Sequence, residues 1–255
     1  MPYSEPIDRL AMRGRPEGEP ILHQRWENML LLHWPLIPDI LRPLIPPALE
    51  IDTYEGRAWI GITPFHLEDV RPSALPAFPG LSSFHELNVR TYVKHNGVPG
   101  IWFLSLDASK LIPMVAARVF FMLPYYKASI RFLQTGETFA FNLRRTIPVP
   151  AEFRVAWRRG LRLRDPALES LGFFLTERYC AFAVNDTELC SIRTYHHPWI
   201  LDEAEVELRH SSMISSLGIP EPTTAPLVHF SASMEMETWG PVSLGSAVKS
   251  GVRAR

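Results

Sequence analysis

Between Phe84 and Val93 the chain alternates strictly between polar and apolar residues. In an extended strand that period puts Glu86, Asn88, Arg90 and Tyr92 on one face and Leu87, Val89, Thr91 and Val93 on the other. Two accounts of the polar face stand side by side. Most half-buried strands turn such a face to water. This face, however, carries an acid, an amide, a guanidinium and a phenol in a row, with no lysine, and each has a defined hydrogen-bond geometry. That composition suits the inner wall of a barrel holding a small polar ligand.

Patterning elsewhere predicts many short strands and few short helices. Trp26 to Trp34 and Ala58 to Phe65 read as strands, Pro35 to Leu49 as a short helix, and Val70 to Ser83 as a loop rich in Pro, Ser and Gly. The Glu86 strand and the apolar run Ile101 to Asp107 flank Asn96-Gly97, a strong hairpin signal. Pro113 to Phe121 reads as a helix. Ser129 to Leu133 pairs with Thr138 to Arg144 across Thr135-Gly136, and Phe153 to Trp157 is a further strand. Leu168 to Phe174 is a short helix. Arg178 to Val184 and Leu189 to Tyr195 form another hairpin, and Ala204 to Arg209 and Val228 to Met236 are late strands. The expected class is α+β, mostly β, with a curved or closed sheet. Residues 1–20 read as a flexible arm, 21–240 as one domain and 241–255 as a flexible tail.

Composition changes the picture little. The 255 residues carry 26 basic and 27 acidic side chains, a net charge of -1, and 46% hydrophobic residues. That is ample for a core and gives no reason to expect nucleic acid or a membrane as partner. No apolar run approaches a membrane span. No secretory signal stands at the start, so a cytoplasmic location and free thiols at Cys180 and Cys190 are expected. A small-molecule ligand is the expected partner, and a homo-oligomer is left open. No metal or cofactor is expected: His196 and His197 would face opposite ways on a strand, and no His-Glu-x-x-His, Cys-x-x-Cys or Gly-rich phosphate loop occurs.

Longer motifs resemble a known family. Leu32-His33-Trp34-Pro35, Leu41-Arg42-Pro43-Leu44-Ile45-Pro46-Pro47, Gly56-Arg57-Ala58-Trp59, Glu86 to Val93, Trp102 to Asp107, Leu123-Pro124-Tyr125-Tyr126, Leu175 to Tyr179 and His197-Pro198-Trp199 occur in order. They resemble the YqjF-like proteins, an uncharacterised family of the acetoacetate decarboxylase-like superfamily. The resemblance implies an acetoacetate decarboxylase-like curved antiparallel sheet closed into a cone-like barrel around one cavity. It implies no reaction. The decarboxylases carry a glutamate that Glu86 matches, and a Pro-Lys-Lys motif whose first lysine forms a Schiff base. Here that run is Pro124-Tyr125-Tyr126-Lys127, and their active-site arginine falls near Glu27, with Arg25 two places away.

The candidate catalytic residues are therefore Glu86, Tyr125 and Lys127, and the candidate ligand-binding residues are Asn88, Arg90, Tyr92, Tyr126 and Arg118. Glu86 would move a proton and Arg90 hold a carboxylate, or the two would form a structural pair. Lys127 would share a face with Tyr125 in an extended strand, as a displaced amine or a solvated surface group. Arg118 needs a partner, for which Asp107 and Glu177 are candidates. Three functions follow: a lyase-type enzyme acting on a small carboxylate or dicarbonyl compound without a Schiff base, a non-catalytic binding protein, and a structural protein with a buried polar network. Fold alone does not choose among them.

Overall fold

The computed structural model describes residues 8–110 and 121–248. Thirteen strands form one sheet. Seven of them pair in a closed cycle: β1 (Leu22–Leu36), β3 (Ala58–Pro72), β4 (Phe84–His95), β5 (Val98–Ala108), β10 (Cys180–Asn185), β11 (Glu188–Tyr195) and β13 (Leu227–Ser246), which pairs back onto β1. Beyond β13 the sheet continues through β12 (Asp202–Ser211), β9 (Ala151–Arg162), β8 (Thr138–Arg145) and β7 (Ser129–Thr135). Two short strands lie off this path, β2 (Glu50–Ile51) on β4 and β6 (Tyr125–Lys127) on β5.

The predicted hairpins are present. At the β4–β5 turn Asn96 and Gly97 both have positive φ, 48° and 79°, as a type I′ turn requires. The sheet is not wholly antiparallel, a departure from the expectation: β5 runs parallel to both β10 and β6. No turn links such pairs, so local patterning carries no trace of them. The predicted helix at 35–49 shrinks to α1 (Pro38–Leu41) and a 3-10 turn (Arg42–Leu44). β3 also runs further than expected, to Pro72. The predicted helix at 113–121 falls, apart from Phe121, outside the described residues.

β4 is buried on both faces, which is what makes its polar row unusual. Its apolar face carries Leu87, Val89 and Val93 into the main core. There they join Phe139, Phe141, Phe153, Val155 and Trp157 of the outer strands, so β7 to β9 and β12 cover this side of the ring. Each large side chain so buried contributes about 1.5–3 kcal/mol relative to exposure. The other face looks into the ring. One end of the interior is closed by α2 (Leu171–Thr176), whose N-cap Ser170 accepts from the Phe173 amide at 3.2 Å and which buries Phe173, Phe174, Leu175 and Thr176.

Residues 8–20 lie along the outside of the ring. Arg193 donates to the Met12 carbonyl at 3.0 Å, Arg15 pairs with Glu237 at 2.6 Å, and the Trp239 indole donates to Gly18 at 3.3 Å. Cys180 and Cys190 are free and buried. Cys180 pairs with Arg193 and Cys190 with Ala183 in the ladder, so they stand too far apart for a bridge.

Candidate functional site

The ring encloses a cavity of about 560 Å3. Its walls are mostly apolar, with Trp26, Phe84, Phe103, Leu106 and Trp199 among them. Into it point Glu86, Asn88 and Arg90 from β4, Tyr125 from β6, and Arg178 and His196 from the ends of β10 and β11. Three of the four residues on the polar face of β4 therefore line the cavity.

Register explains their placement. Glu86, Asn88 and Arg90 stand opposite Phe65, Thr63 and Gly61 of β3. A Cβ at Gly61 would meet the His33 ring at 2.9 Å and the Arg90 side chain at 3.6 Å, so glycine there leaves room for both. On the other side, β5 bulges opposite Arg90: Val89 pairs with Ser105 and Arg90 with Phe103, which leaves Leu104 without a partner. Bulges of this kind re-aim side chains beside functional sites. The Cα atoms of Glu86 and Arg90 are about 13 Å apart along the strand, with Asn88 midway.

Glu86 is 3% exposed, and the Tyr125 hydroxyl donates to its Oε2 at 2.9 Å. Burial pushes its pKa up to about 8, against the lowering effect of the Tyr125 hydrogen bond and with a further push from Asp107. Near neutral pH Glu86 is therefore mostly an uncharged acid. Burial, and then the charge and hydrogen bond of Glu86, hold the Tyr125 phenol well above its ordinary value, so it remains a donor.

Arg90 is also 3% exposed. Among the described residues it has no ion-pair partner, and its Nε lacks a hydrogen-bond acceptor. Asn88 Oδ1 and Arg178 Nη2 are likewise buried without partners. Arg178 does bond elsewhere: Nη1 donates to Asp52 Oδ2 at 2.7 Å and Nε to the Phe174 carbonyl at 2.8 Å. Its guanidinium lies over the rings of Tyr92 and Phe174, 4.9 and 4.4 Å from their centroids. His196 has carbonyl oxygens at both ring nitrogens, 2.8 and 3.2 Å away. Burial lowers its pKa nonetheless. Unpartnered buried polar groups are rare in folded proteins; those of Asn88, Arg90 and Arg178 belong to residues that line this cavity, while others, such as Thr63 Oγ1 and Arg193 Nε, belong to residues outside it.

The remaining candidates stand elsewhere. Tyr92 shares the face of Arg90 but sits beneath α2, packed on Phe174, and is not part of the cavity wall. Its hydroxyl lies 2.8 Å from His33 Nε2 and donates to the Leu175 carbonyl at 2.9 Å. Tyr126 lies under the Arg145 guanidinium at 4.8 Å. Lys127 is exposed and donates to the Ser109 carbonyl, because it pairs with Ala108 where β5 leaves the ring. Arg118 lies outside the described residues. Asp107 and Glu177 have other partners: Asp107 takes Arg145, and Glu177 accepts from the Tyr179 hydroxyl and the Trp199 amide. Among the described residues no three His, Cys, Asp or Glu side chains gather as a metal site.

Sequence reasoning passed over Asp52 entirely, and read Arg178 as opening a strand from which it could reach either rim. The one signal for Arg178 was its place just before the apolar run Cys180 to Val184, where a charge needs a reason.

Residues 23–235 match the DUF2071 family, described as uncharacterized conserved proteins. The chain is 38% identical over 224 residues to the uncharacterized protein YqjF of Bacillus subtilis, covering 88% of this chain and 93% of that one. Among solved structures, it is similar to the enduracididine biosynthesis enzyme MppR complexed with the condensation product of pyruvate and imidazole 4-carboxaldehyde. That match has a TM-score of 0.64 at 14% identity and covers 89% of this chain and 90% of the other. It is also similar to the acetoacetate decarboxylase of Legionella pneumophila, with a TM-score of 0.59 at 15% identity, covering 94% and 95%. At these identities the likeness shows the fold.

Proposed function

The chain belongs to the DUF2071 family of uncharacterized conserved proteins, and from that premise we propose that it binds a small carboxylate with an apolar body inside its ring of strands. The observation that carries this is Arg90: a guanidinium buried to 3% exposure, with no ion pair among the described residues, in the wall of a largely apolar cavity. A buried charge without a counter-charge is expensive, and a ligand carboxylate held bidentately would relieve it. The apolar walls take the rest of the ligand. The similar MppR structure is itself complexed with a condensation product of pyruvate, which supports a small keto-acid derivative as the class of ligand.

The chemistry open to the site is acid–base. Glu86, protonated below about pH 8, offers a proton to a carbonyl oxygen or to a developing carbanion, and Tyr125 holds its other oxygen. Asn88, midway between Glu86 and Arg90, orients what lies between them. This is a lyase-type reading without a covalent intermediate. A Schiff-base amine needs a pKa brought well down from about 10.4 by burial or a neighbouring cation. Lys127 is at the surface, and tyrosines occupy both lysine positions of the decarboxylases. The missing amine also favours a second reading, a binding protein that keeps the cavity without chemistry.

The test is calorimetric titration with hexanoate, hexanol and hexylamine, on the wild type and on Arg90→Met. The proposal expects hexanoate alone to bind tightly, and Arg90→Met to lose it. Equal binding of hexanoate and hexanol by the wild type overturns it. Turnover of short keto acids that falls above pH 8, and is abolished by Glu86→Gln, separates the enzyme from the binding protein.

A further inference from the structure

We propose that Arg178 is the second half of the anion clamp, and that Arg9 and Asp52 are positioning residues that leave it free to act. This rests on the reading of the cavity as a carboxylate site. Asp52 is 2% exposed and carries two arginines at once. Arg9 holds it bidentately, Nη1 to Oδ2 at 2.7 Å and Nη2 to Oδ1 at 3.0 Å, while Arg178 Nη1 also reaches Oδ2 at 2.7 Å. Both guanidiniums lie against the Phe174 ring, at 4.9 and 4.4 Å. Arg178 Nη2 is left with no partner although Arg178 lines the cavity.

Charge decides what this geometry does. Asp52 and Arg178 alone would form a neutral pair, and an incoming carboxylate would meet the Asp52 carboxylate behind the guanidinium. With Arg9 docked, one negative charge is shared by two positive ones, and the trio keeps a net positive charge. Arg178 then presents Nη2 to the cavity as an uncompensated donor. The pKa of Asp52 is consistent with this sharing: burial works to raise it, and the bonds and charges of Arg9 and Arg178 bring it below its ordinary value. Arg9 belongs to the segment held to the ring by Arg193 and Arg15. Docking of this segment and anion binding are therefore coupled, and the coupling runs both ways.

The experiment titrates hexanoate calorimetrically into the full chain as wild type, Arg9→Gln, Asp52→Asn and the double variant, with a thermal melt of each. Arg9→Gln is expected to weaken hexanoate about tenfold, because Asp52 then neutralises Arg178. The double variant is expected to recover affinity to within about threefold of wild type, since Arg178 regains its charge. A merely structural Arg9–Asp52 tie predicts the reverse, a double variant that binds no better than Arg9→Gln. If Asp52→Asn does not fold, Arg9→Lys decides: affinity near wild type supports the proposal, and affinity as low as Arg9→Gln overturns it. Unchanged affinity in Arg9→Gln, with hexanoate still lost in Arg90→Met, overturns this inference and leaves the carboxylate site standing. No hexanoate binding by the wild type overturns both.

Discussion

Arg90 and Arg145 lie equally deep, each 3% exposed, one in the cavity wall and the other between the ring and the outer strands. Arg145, at the end of β8, donates from Nη1 to both oxygens of Asp107 at 3.1 and 3.0 Å, from Nη2 to Ser216 at 2.7 Å and from Nε to the Val149 carbonyl at 2.9 Å. Tyr126 covers its face. Every nitrogen has an acceptor, and the pair ties β5 to the outer strands. Among the described residues Arg90 has no carboxylate partner and its Nε lacks an acceptor, its one side-chain hydrogen bond being to Tyr92. Burial and residue type are the same; only the satisfaction of the donors differs. On the proposed function that difference separates a structural arginine from a binding one, because a buried charge left open is costly until a counter-charge meets it.

The largest expected effect is on the closed side. Arg145→Ala leaves Asp107 buried and unpaired and should cost about 3–5 kcal/mol of stability, read by urea denaturation. A loss under about 1 kcal/mol would show that the pair is no tie. On the open side, Arg90→Met should weaken hexanoate about 100-fold without lowering the melting temperature, since an uncompensated charge leaves the interior. If Arg90→Met destabilises as Arg145→Ala does, the contrast between the two arginines collapses.

Glu86 sharpens the comparison on the pH axis. Its folded pKa of about 8 stands above the ordinary 4.5. Between those values the unfolded chain has lost a proton that the folded chain keeps, so stability falls as pH rises from 4.5 to 8. Glu86→Gln removes that contribution and should stabilise the protein by about 3 kcal/mol at neutral pH, from about 1.4 kcal/mol for each pH unit above the ordinary value. Melts of both proteins at pH 4.5 and pH 8 check it: the two should converge at the lower pH and diverge at the higher. A constant difference across the range would place the Glu86 carboxyl in water. The smallest effect is at Lys127. Lys127→Met should change stability by under about 0.5 kcal/mol, and borohydride with acetoacetate should leave no adduct on the wild-type chain by intact mass. An adduct mapped to Lys127 would restore amine chemistry.

What the sequence made legible follows from range. The polar row at Glu86, Asn88 and Arg90 and the turn at Asn96-Gly97 are set by neighbours within a few residues, where a period of two and a positive φ leave a mark. The trio of Arg9, Asp52 and Arg178 spans 43 and 126 positions, and no local pattern records such distances. The parallel joining of β5 to β10 is of the same kind. Tyr92 shows the limit of alternation even within β4. Periodicity gives the face of the strand, but α2, which lies about 80 residues on, decides which part of that face is cavity and which is core.

The most direct test of the open arginine is a crystal structure with hexanoate bound. The account predicts the carboxylate within about 3 Å of the Arg90 guanidinium, with Arg178 Nη2 on the same group and the hydrocarbon tail toward Trp26 and Phe84. A tail lying against Arg90, or a carboxylate bound only outside the ring, would contradict it.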